Sequence, residues 1–485
     1  MEIKMETILF FDDWRLQNRD NMVRRLGKPK WVPEATLEDD LTEGTWNFPT
    51  VWHDKESGLW HGIYLGAAPH SVYEVPGHQN IFVRTQVLLY AQSPDGIHWE
   101  KPDLTKETKE RSRLRPNQVF SGNIPIDSYV EGGPRIDGGP VYYDEHESDP
   151  ERRLKYLYFF SGEMAPGEVY GAKSEQRIAT SPDGIHWRVE DLTWGTRKLD
   201  SPIGMFYNKH RESYVITNRP NTGDRRVAFI ATKDFKNLTP RELVIHPDSE
   251  DPPLVQFYGM LVFPYEDMYI GLLWRLHTDP AEIDIVKMFG PMDCSLTYSY
   301  NGWVFNRVFH KPFIAPNERG EHGGGCIYVA SMVCTDNEIR FYSGGSKAEH
   351  FRNQELKDAA LMLHTLRKDG FVYLESYATR GRVITKALVF KKDDLRLNVS
   401  VPYGGMRVQI LNKKGKPIEG FRYQDSIPFF GDEIEYKPQW KNGRNLKTVL
   451  GKPVYLEIEV TEGQLYAIRG EFDCVGEELI VQELA

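Results

Sequence analysis

Apolar residues in this chain come in short bursts, and the bursts are spaced too closely for helices. Runs such as Val87-Leu88-Leu89-Tyr90-Ala91 and Gln176-Arg177-Ile178-Ala179 are followed at once by Pro, Asp and Gly, which marks strands closed by tight turns. Helical periodicity is scarce. The best stretch, Asn353 to Ala360, is barely two turns long.

The bursts fall into a repeating order. Two strands with a short link recur at 48–66, 139–162, 201–219, 257–275 and 324–345. Each pair is followed by a hairpin, and two hairpins carry the same heptapeptide, Ser-Pro-Asp-Gly-Ile-His-Trp, at Ser93–Trp99 and Ser181–Trp187. In that heptapeptide Pro94 and Pro182 preset φ, and Gly96 and Gly184 supply the positive φ that closes a turn. Asp95 and Asp183 can accept backbone N–H groups within it. Their hydrogen-bonding need is met locally, so these aspartates read as turn staples rather than catalysts. Degenerate copies follow around Asp234, Asn301-Gly302 and Asp369-Gly370. Strand, turn, strand, hairpin is a four-stranded antiparallel blade, and five such units predict a five-bladed β-propeller over residues 1–375.

From 376 to 485 the pattern changes. Val383–Thr385, Leu395–Val399, Met406–Leu411, Tyr455–Val460 and Leu465–Ile468 are alternating strands, with Gly404-Gly405 and Lys414–Pro417 as turns between them. This predicts a C-terminal β-sandwich with an accessory, structural role. The expected fold class is therefore all-β.

Composition narrows the partners. The chain has 485 residues, 60 basic against 70 acidic, for a net charge of −10. That balance argues against nucleic acid and anionic membranes, whose phosphates need a basic surface. No run of 18 apolar residues suggests a membrane span, and the opening MEIKMETILFFDDWRL has no secretory pattern. Four widely spaced cysteines (Cys294, Cys326, Cys334, Cys474) form no CxxC pair and read as reduced thiols. A cytoplasmic location follows as an expectation. No P-loop, dinucleotide fingerprint, HExxH or nucleophile elbow occurs, so no cofactor and no catalytic metal is expected; a structural calcium in the channel, which carries no sequence signature, is left open. Self-association is left open.

Several stretches together carry a resemblance. They are Phe11-Asp12-Asp13-Trp14, the two SPDGIHW hairpins, Asp149–Tyr156 (DPERRLKY), Leu199–Pro202, Lys368–Phe371 and Gly415–Phe421. On these the chain resembles the propeller glycoside hydrolase superfamily of families 32, 43, 62, 68 and 117. It is most similar to the bacterial "family 32 N-terminal-like" glycosidases. The resemblance implies an exo-acting glycoside hydrolase for short oligosaccharides, furanosides above all, with acidic residues where the innermost strand of each blade opens onto the axis.

Two carboxyls are the minimum for that chemistry, one to protonate the leaving oxygen and one to attack carbon or activate water. The positions ahead of the innermost strands offer Glu43 and, further back, Asp12 and Asp13 in the first blade, Glu131 and Asp137 in the second and Asp200 in the third. The fourth offers Asp251 and Gln256, and the fifth Glu321 and His322. Catalysis is assigned to Asp137, Asp200, Glu43 and Asp13. Sugar binding is assigned to His322, Glu321, Glu131, Trp46 and Arg135, while Trp52 and Trp274 are aromatic residues that either stack on a sugar or fill the interior. Arg135, Arg219 and Arg275 could instead hold phosphate, which would make the enzyme a glycoside phosphorylase. A carbohydrate-binding propeller without turnover is the remaining alternative.

Overall fold

The computed structural model describes residues 5–475 apart from 41–47, 74–80, 110–112, 125–127, 129–132, 164–173, 195–199, 221–224, 280–288 and 351–357. Two compact units divide the chain. Met1–Lys28, Thr335–Ile339 and Leu366–Ala485 form one, and Pro29–Cys334 with Arg340–Thr365 form the other. The larger unit is a five-bladed β-propeller.

Its first blade is Thr50–His53, Trp60–Tyr73, Ile81–Ser93 and Gln118–Phe120, in that order. The second is built on Leu154–Ser161, with Arg135–Gly138 and Tyr142–Tyr143 on one side and Glu175–Ser181 then Arg188–Thr193 on the other. Asp200–Asn208, Ser213–Arg219, Val227–Thr232 and Glu242–Ile245 make the third. Val255–Tyr265, Met268–His277 and Met292–Ser299 make the fourth. Cys326–Cys334, Glu338–Ser346 and Ala359–Arg367 begin the fifth, whose outer strand is Lys30–Glu38, from the start of the chain. Ala359 and Ala360, placed by the sequence in a short helix, open a strand because both are fully enclosed in the fifth blade; Asn353 to Lys357 lie outside the described residues.

The repeated turns share one geometry. Oδ1 of Asp95 accepts the N–H groups of Ile97 and His98 at 2.8 Å each, while Ser93 Oγ accepts Gly96 N–H at 2.9 Å. Asp183 and Ser181 repeat this with Ile185, His186 and Gly184. Asp234 and Thr232 repeat it with Lys236, Asn237 and Phe235, and Asn301 and Ser299 with Trp303, Val304 and Gly302. The residue after the Asp or Asn sits at positive φ, +75° at Gly96 and +82° at Gly184. Phe235 takes φ 59° without being glycine, and its buried ring packs 4.7 Å from Tyr214.

Each of these turns docks on a neighbouring blade. Gly184 lies against Trp52 and Ile63 of the first blade, so closely that a Cβ there would stand 2.8 Å from the indole. Trp194 of the second blade donates its Nε1–H to the Phe235 carbonyl at 2.5 Å. Asn208 of the third donates to the carbonyls of Asn301 and Gly302 at 2.9 and 3.3 Å. The first blade's turn closes onto the fifth, where Tyr342 Oη donates to Gly96 O at 3.0 Å and Arg340 to Asp95 O at 2.5 Å. The heptapeptide is thus a clasp between blades as well as a turn.

The DPERRLKY stretch has its own role. Its Lys155 is wholly buried and donates to Asp144 Oδ2 at 2.8 Å and to the Arg152 carbonyl at 2.9 Å, and its ammonium lies 2.9 Å from Glu147 Oε2. Tyr214 of the third blade donates to the same Asp144 oxygen at 2.7 Å. Burial, then the Asp144 bond, pushes the Tyr214 phenol far above its ordinary range, so it stays a donor.

The smaller unit is the sandwich. Its strands run Leu16–Asp20, Gly381–Thr385, Pro453–Thr461, Leu388–Leu411, Gly463–Cys474, Val372–Ser376 and Val23–Leu26, with Glu6–Leu9 on Gly463–Cys474 and Phe429–Tyr436 on Leu388–Leu411. The sequence places one boundary at 375. Here Glu6–Leu9, Leu16–Asp20 and Val23–Leu26 pair with the C-terminal strands, because Ile8, Phe10, Leu16 and Met22 bury their side chains in the same core as Leu397, Ile458 and Ile468. Gly404-Gly405 also differs from the expected turn. A single strand, Leu388–Leu411, runs through it, paired with Gly463–Cys474 before the glycines and with Pro453–Thr461 after them, where Gly405 lies opposite Thr461 and Leu411 opposite Tyr455 in antiparallel register. A Cβ on Gly404 would meet the Thr461 carbonyl oxygen at 1.7 Å, so only glycine permits this change of partner. The fifth turn belongs to this unit as well, and its buried Asp369 is paired with Arg469 and accepts Asn398 Nδ2–H at 2.8 Å.

The turns and the buried lysine generate three predictions. In the turns, burial raises the Asp95 and Asp183 carboxyls, but the N–H groups of residues two and three ahead outweigh it and hold both below the ordinary value. At Asp234 the Asn237 N–H leads and the pKa is lowered to about 2. A lowered folded-state pKa contributes stability above the unfolded value of 3.8 that is lost as pH falls towards about 2. Asn301 makes the same backbone bonds without a charge, so the triple variant D95N/D183N/D234N should fold at neutral pH and lose less melting temperature than the parent between about pH 4 and 2. Asp183→Ala, which removes the acceptor altogether, should cost about 1–2 kcal/mol in denaturant titration. Lys155→Met leaves Asp144 buried without its cation and should cost about 3–5 kcal/mol by the same measurement.

Candidate active site

Antiparallel order puts the start of a blade's first strand, the end of its second and the start of its third on one edge, opposite the clasping turns. That edge is rich in buried polar groups: Gln86, Arg135, Asn218, Arg219, Gln256, Thr278 and His350 are each at most 7% exposed. Burial of so many hydrogen-bonding groups is tolerated only when they satisfy one another or meet a ligand.

Asp137 lies on this edge, on the innermost strand Arg135–Gly138, opposite Phe159 in register. Alternation along the strand buries Ile136 in the core and turns Arg135 and Asp137 to the other face. Gly138 is needed because a Cβ would meet the Tyr156 hydroxyl at 2.6 Å. From the first blade, Gln86 Nε2–H donates to Asp137 Oδ1 at 3.1 Å, Gly138 N–H donates to Gln86 Oε1 at 2.7 Å, and Thr85 Oγ1 accepts Ile136 N–H at 3.0 Å. Asp200 opens the innermost strand of the third blade with its Cα opposite Arg219. Its side chain lies outside the described residues, as do Glu43, Trp46 and Glu131 altogether.

The remaining expected residues are placed elsewhere. Asp13 belongs to the sandwich unit, where it is held by Arg19 and Arg24; burial raises its carboxyl, and these two guanidiniums bring it below its ordinary value. His322 Nε2 meets Glu38 Oε1 at 2.6 Å, at the end of the strand that closes the propeller, and the bond to His322 lowers the Glu38 carboxyl. Glu321 is exposed in the same loop. Asp251 is paired with Arg307 at 2.6 Å, and Arg275 is engaged by both oxygens of Asp293 at 2.8 and 2.9 Å. Trp52 stacks on His61 and Tyr143, and Trp274 on Phe48, so both fill the interior.

A second group on this edge joins Arg219 and Gln256, both offered by the sequence, to Arg225, Tyr258, Thr278 and His350, which the sequence leaves unassigned. Arg219 and Arg225 of the third blade lie over the ring of Tyr258 at 4.5 and 5.5 Å, and Tyr258 Oη meets His350 Nε2 of the fifth at 3.2 Å. Arg225 also donates to Gln256 Oε1 at 3.1 Å, and Gln256 Nε2–H donates to Thr278 Oγ1 at 2.8 Å. Such a cluster offers positive charge and planar stacking surfaces, the groups that hold a carboxylate or phosphate. The acidic triad Asp248, Asp251 and His310 has the spacing of a cation site, but Arg307 already occupies both of its carboxylates.

No family model and no curated protein matches the chain. Solved structures similar to it include an N-acetylgalactosamine deacetylase from F. plautii in complex with blood group B trisaccharide, at 13% identity and TM-score 0.44, covering 72% of this chain and 97% of that one. A β-1,2-mannobiose phosphorylase from Listeria innocua is similar at 11% identity and TM-score 0.45, covering 70% and 96%. A GH32 β-fructofuranosidase from Bombyx mori is similar at 10% identity and TM-score 0.40, covering 91% and 93%. The solved structures that this chain resembles thus include glycoside hydrolases and a phosphorylase, at identities that decide neither substrate nor reaction.

Proposed function

We propose that the chain is a glycan-active enzyme, and specifically a glycoside hydrolase that removes sugars, furanosides above all, from the ends of short oligosaccharides. The observation that carries this reading is Asp137, a carboxyl set on the polar edge of an innermost strand and oriented by an amide from the preceding blade. Asp200 holds the corresponding place in the next blade. Two carboxyls so placed supply the acid and the carboxylate that glycoside cleavage requires. A separation of about 5–5.5 Å gives retention and about 6.5–9.5 Å inversion. Arg135, on the same face as Asp137, is placed to meet sugar hydroxyls. The proposed place of action is the cytoplasm, on the ground that the four cysteines are widely spaced and form no CxxC pair.

One observation favours phosphorolysis as a second reading. The Arg219, Arg225 and His350 cluster around Tyr258 would suit a phosphate acting in place of water.

Purified full-length protein should release aglycone from at least one member of a panel of aryl furanosides and pyranosides without added phosphate. Asp137→Asn and Asp200→Asn should keep the parent's melting temperature and lower turnover ~100-fold or more. Turnover that requires inorganic phosphate would establish the phosphorylase. Saturable sugar binding with no turnover would leave a binding propeller, and Asp137→Asn at the parent rate would remove Asp137 from the chemistry.

A further inference from the structure

We propose that Gln86 is the positioning residue of this site and that it commits Asp137 to work as an ionised carboxylate, leaving proton donation to the other acid. The inference rests on the reading above and deepens it.

Gln86 is 2% exposed in the middle of Ile81–Ser93, a strand of the first blade. Its amide has one orientation. A backbone N–H can only donate, so the group that meets Gly138 N–H at 2.7 Å is Oε1, and Nε2 is left facing Asp137 Oδ1 at 3.1 Å. Tyr156 Oη donates to the same Oε1 at 3.3 Å. Flipping the amide would set its N–H groups against two donors and its oxygen against a carboxylate. The tyrosine is enclosed on all sides, and burial, then the Asp137 charge, drives its phenol well above the ordinary value, so it remains a donor throughout the working pH range. The glutamine is therefore locked from one side and presents a fixed donor on the other.

A neutral N–H held on a carboxyl oxygen stabilises the charged form over the protonated one. An acid that must surrender a proton to a leaving oxygen needs the opposite environment. Asp137 is thus the group that faces the positive charge developing at the anomeric carbon. As the glycosidic C–O bond breaks, its oxygen takes a proton from the other acid. Water then supplies the oxygen that bonds to that carbon, and its proton restores the acid. Other titratable or charged groups on the elements around Asp137 include Arg135 on its own strand, Tyr156, Tyr158 and the Asp144-bound Lys155 on Leu154–Ser161, Arg177 and Glu175 beyond Tyr158, and Asp200 at the opening of the third blade. None of them changes in the variants below.

Gln86→Glu is the deciding variant. It keeps an oxygen for Gly138 N–H and Tyr156 O–H and replaces only the donor to Asp137. With the aryl glycoside that the enzyme turns over, the acid limb of the kcat/KM profile should move to higher pH by about one unit or more in Gln86→Glu, and by about half a unit in Gln86→Leu. Above that limb the Gln86→Glu rate should return to within about tenfold of the parent. An unmoved acid limb with rates lowered equally at every pH would overturn the proposal and leave Gln86 a structural residue. If Gln86→Leu fails to fold, Gln86→Glu alone decides. Asp137→Asn separates the two levels: parent-like turnover in it overturns the reading of the site, whereas loss of turnover with an unmoved limb in Gln86→Glu overturns only the positioning role.

Discussion

A propeller has no hydrogen-bond ladder running around its circumference, so everything else in the larger unit depends on how one blade is held to the next. Between the fourth blade and the fifth Met292 pairs with Cys326, while at the other four of the five joints the task falls to the repeated turn. Its carboxylate or amide ties down the N–H groups ahead of it, which leaves the turn's own carbonyls and glycine facing outward to the adjacent blade. Tyr342, Trp194 and Asn208 take up those carbonyls in three different blades, and Trp52 packs on the glycine in a fourth contact. The residues differ, but each neighbour presents a donor or a flat ring to the same backbone surface.

Placing the clasps on one edge releases the other from structural duty. On the opposite edge the strand openings carry Asp137, Arg135, Gln256 and their partners, groups that a structural joint would exclude because their desolvation is costly. The fixed relation between the first and second blades matters most there, since Asp137 and the amide that orients it come from different blades. A displacement between blades too small to disturb either sheet would still break that bond. Rigidity at the turns is therefore what keeps the carboxyl aimed.

Much of this was legible in the amino-acid order. Blades two to four follow the strand and turn pattern directly, because half-buried strands must alternate and tight turns need Gly, Asp or Asn at set places. The assignment of Asp95 and Asp183 to turns rested on their local hydrogen-bonding capacity, and the bonds are those found. What escaped was long-range. Nothing local distinguishes Ile8, Phe10 and Leu16 as sandwich residues, since their partners lie more than 350 positions away. Gln86 was overlooked because it sits inside an apolar strand, although a polar Thr85-Gln86 pair in such a run is itself a signal of buried hydrogen bonding. Asp13 was assigned to the propeller from its nearness in sequence to the first blade, whereas Arg19 and Arg24 hold it in the other unit.

The fifth blade takes its outer strand, Lys30–Glu38, from the start of the chain and pairs it with Ala359–Arg367 near the propeller's end. During synthesis this strand leaves the ribosome before the rest of the propeller and must wait for its partner through four complete blades. Until then it is a β-edge with unpaired N–H and C=O groups, the kind of surface that invites pairing with another chain. Contacts of such sequence separation also carry a large loop-closure entropy, which slows the last step of folding rather than weakening the finished ring. Closure by the N-terminal strand thus makes the nascent propeller most vulnerable to aggregation just before it is complete, and most resistant to opening at a single seam afterwards.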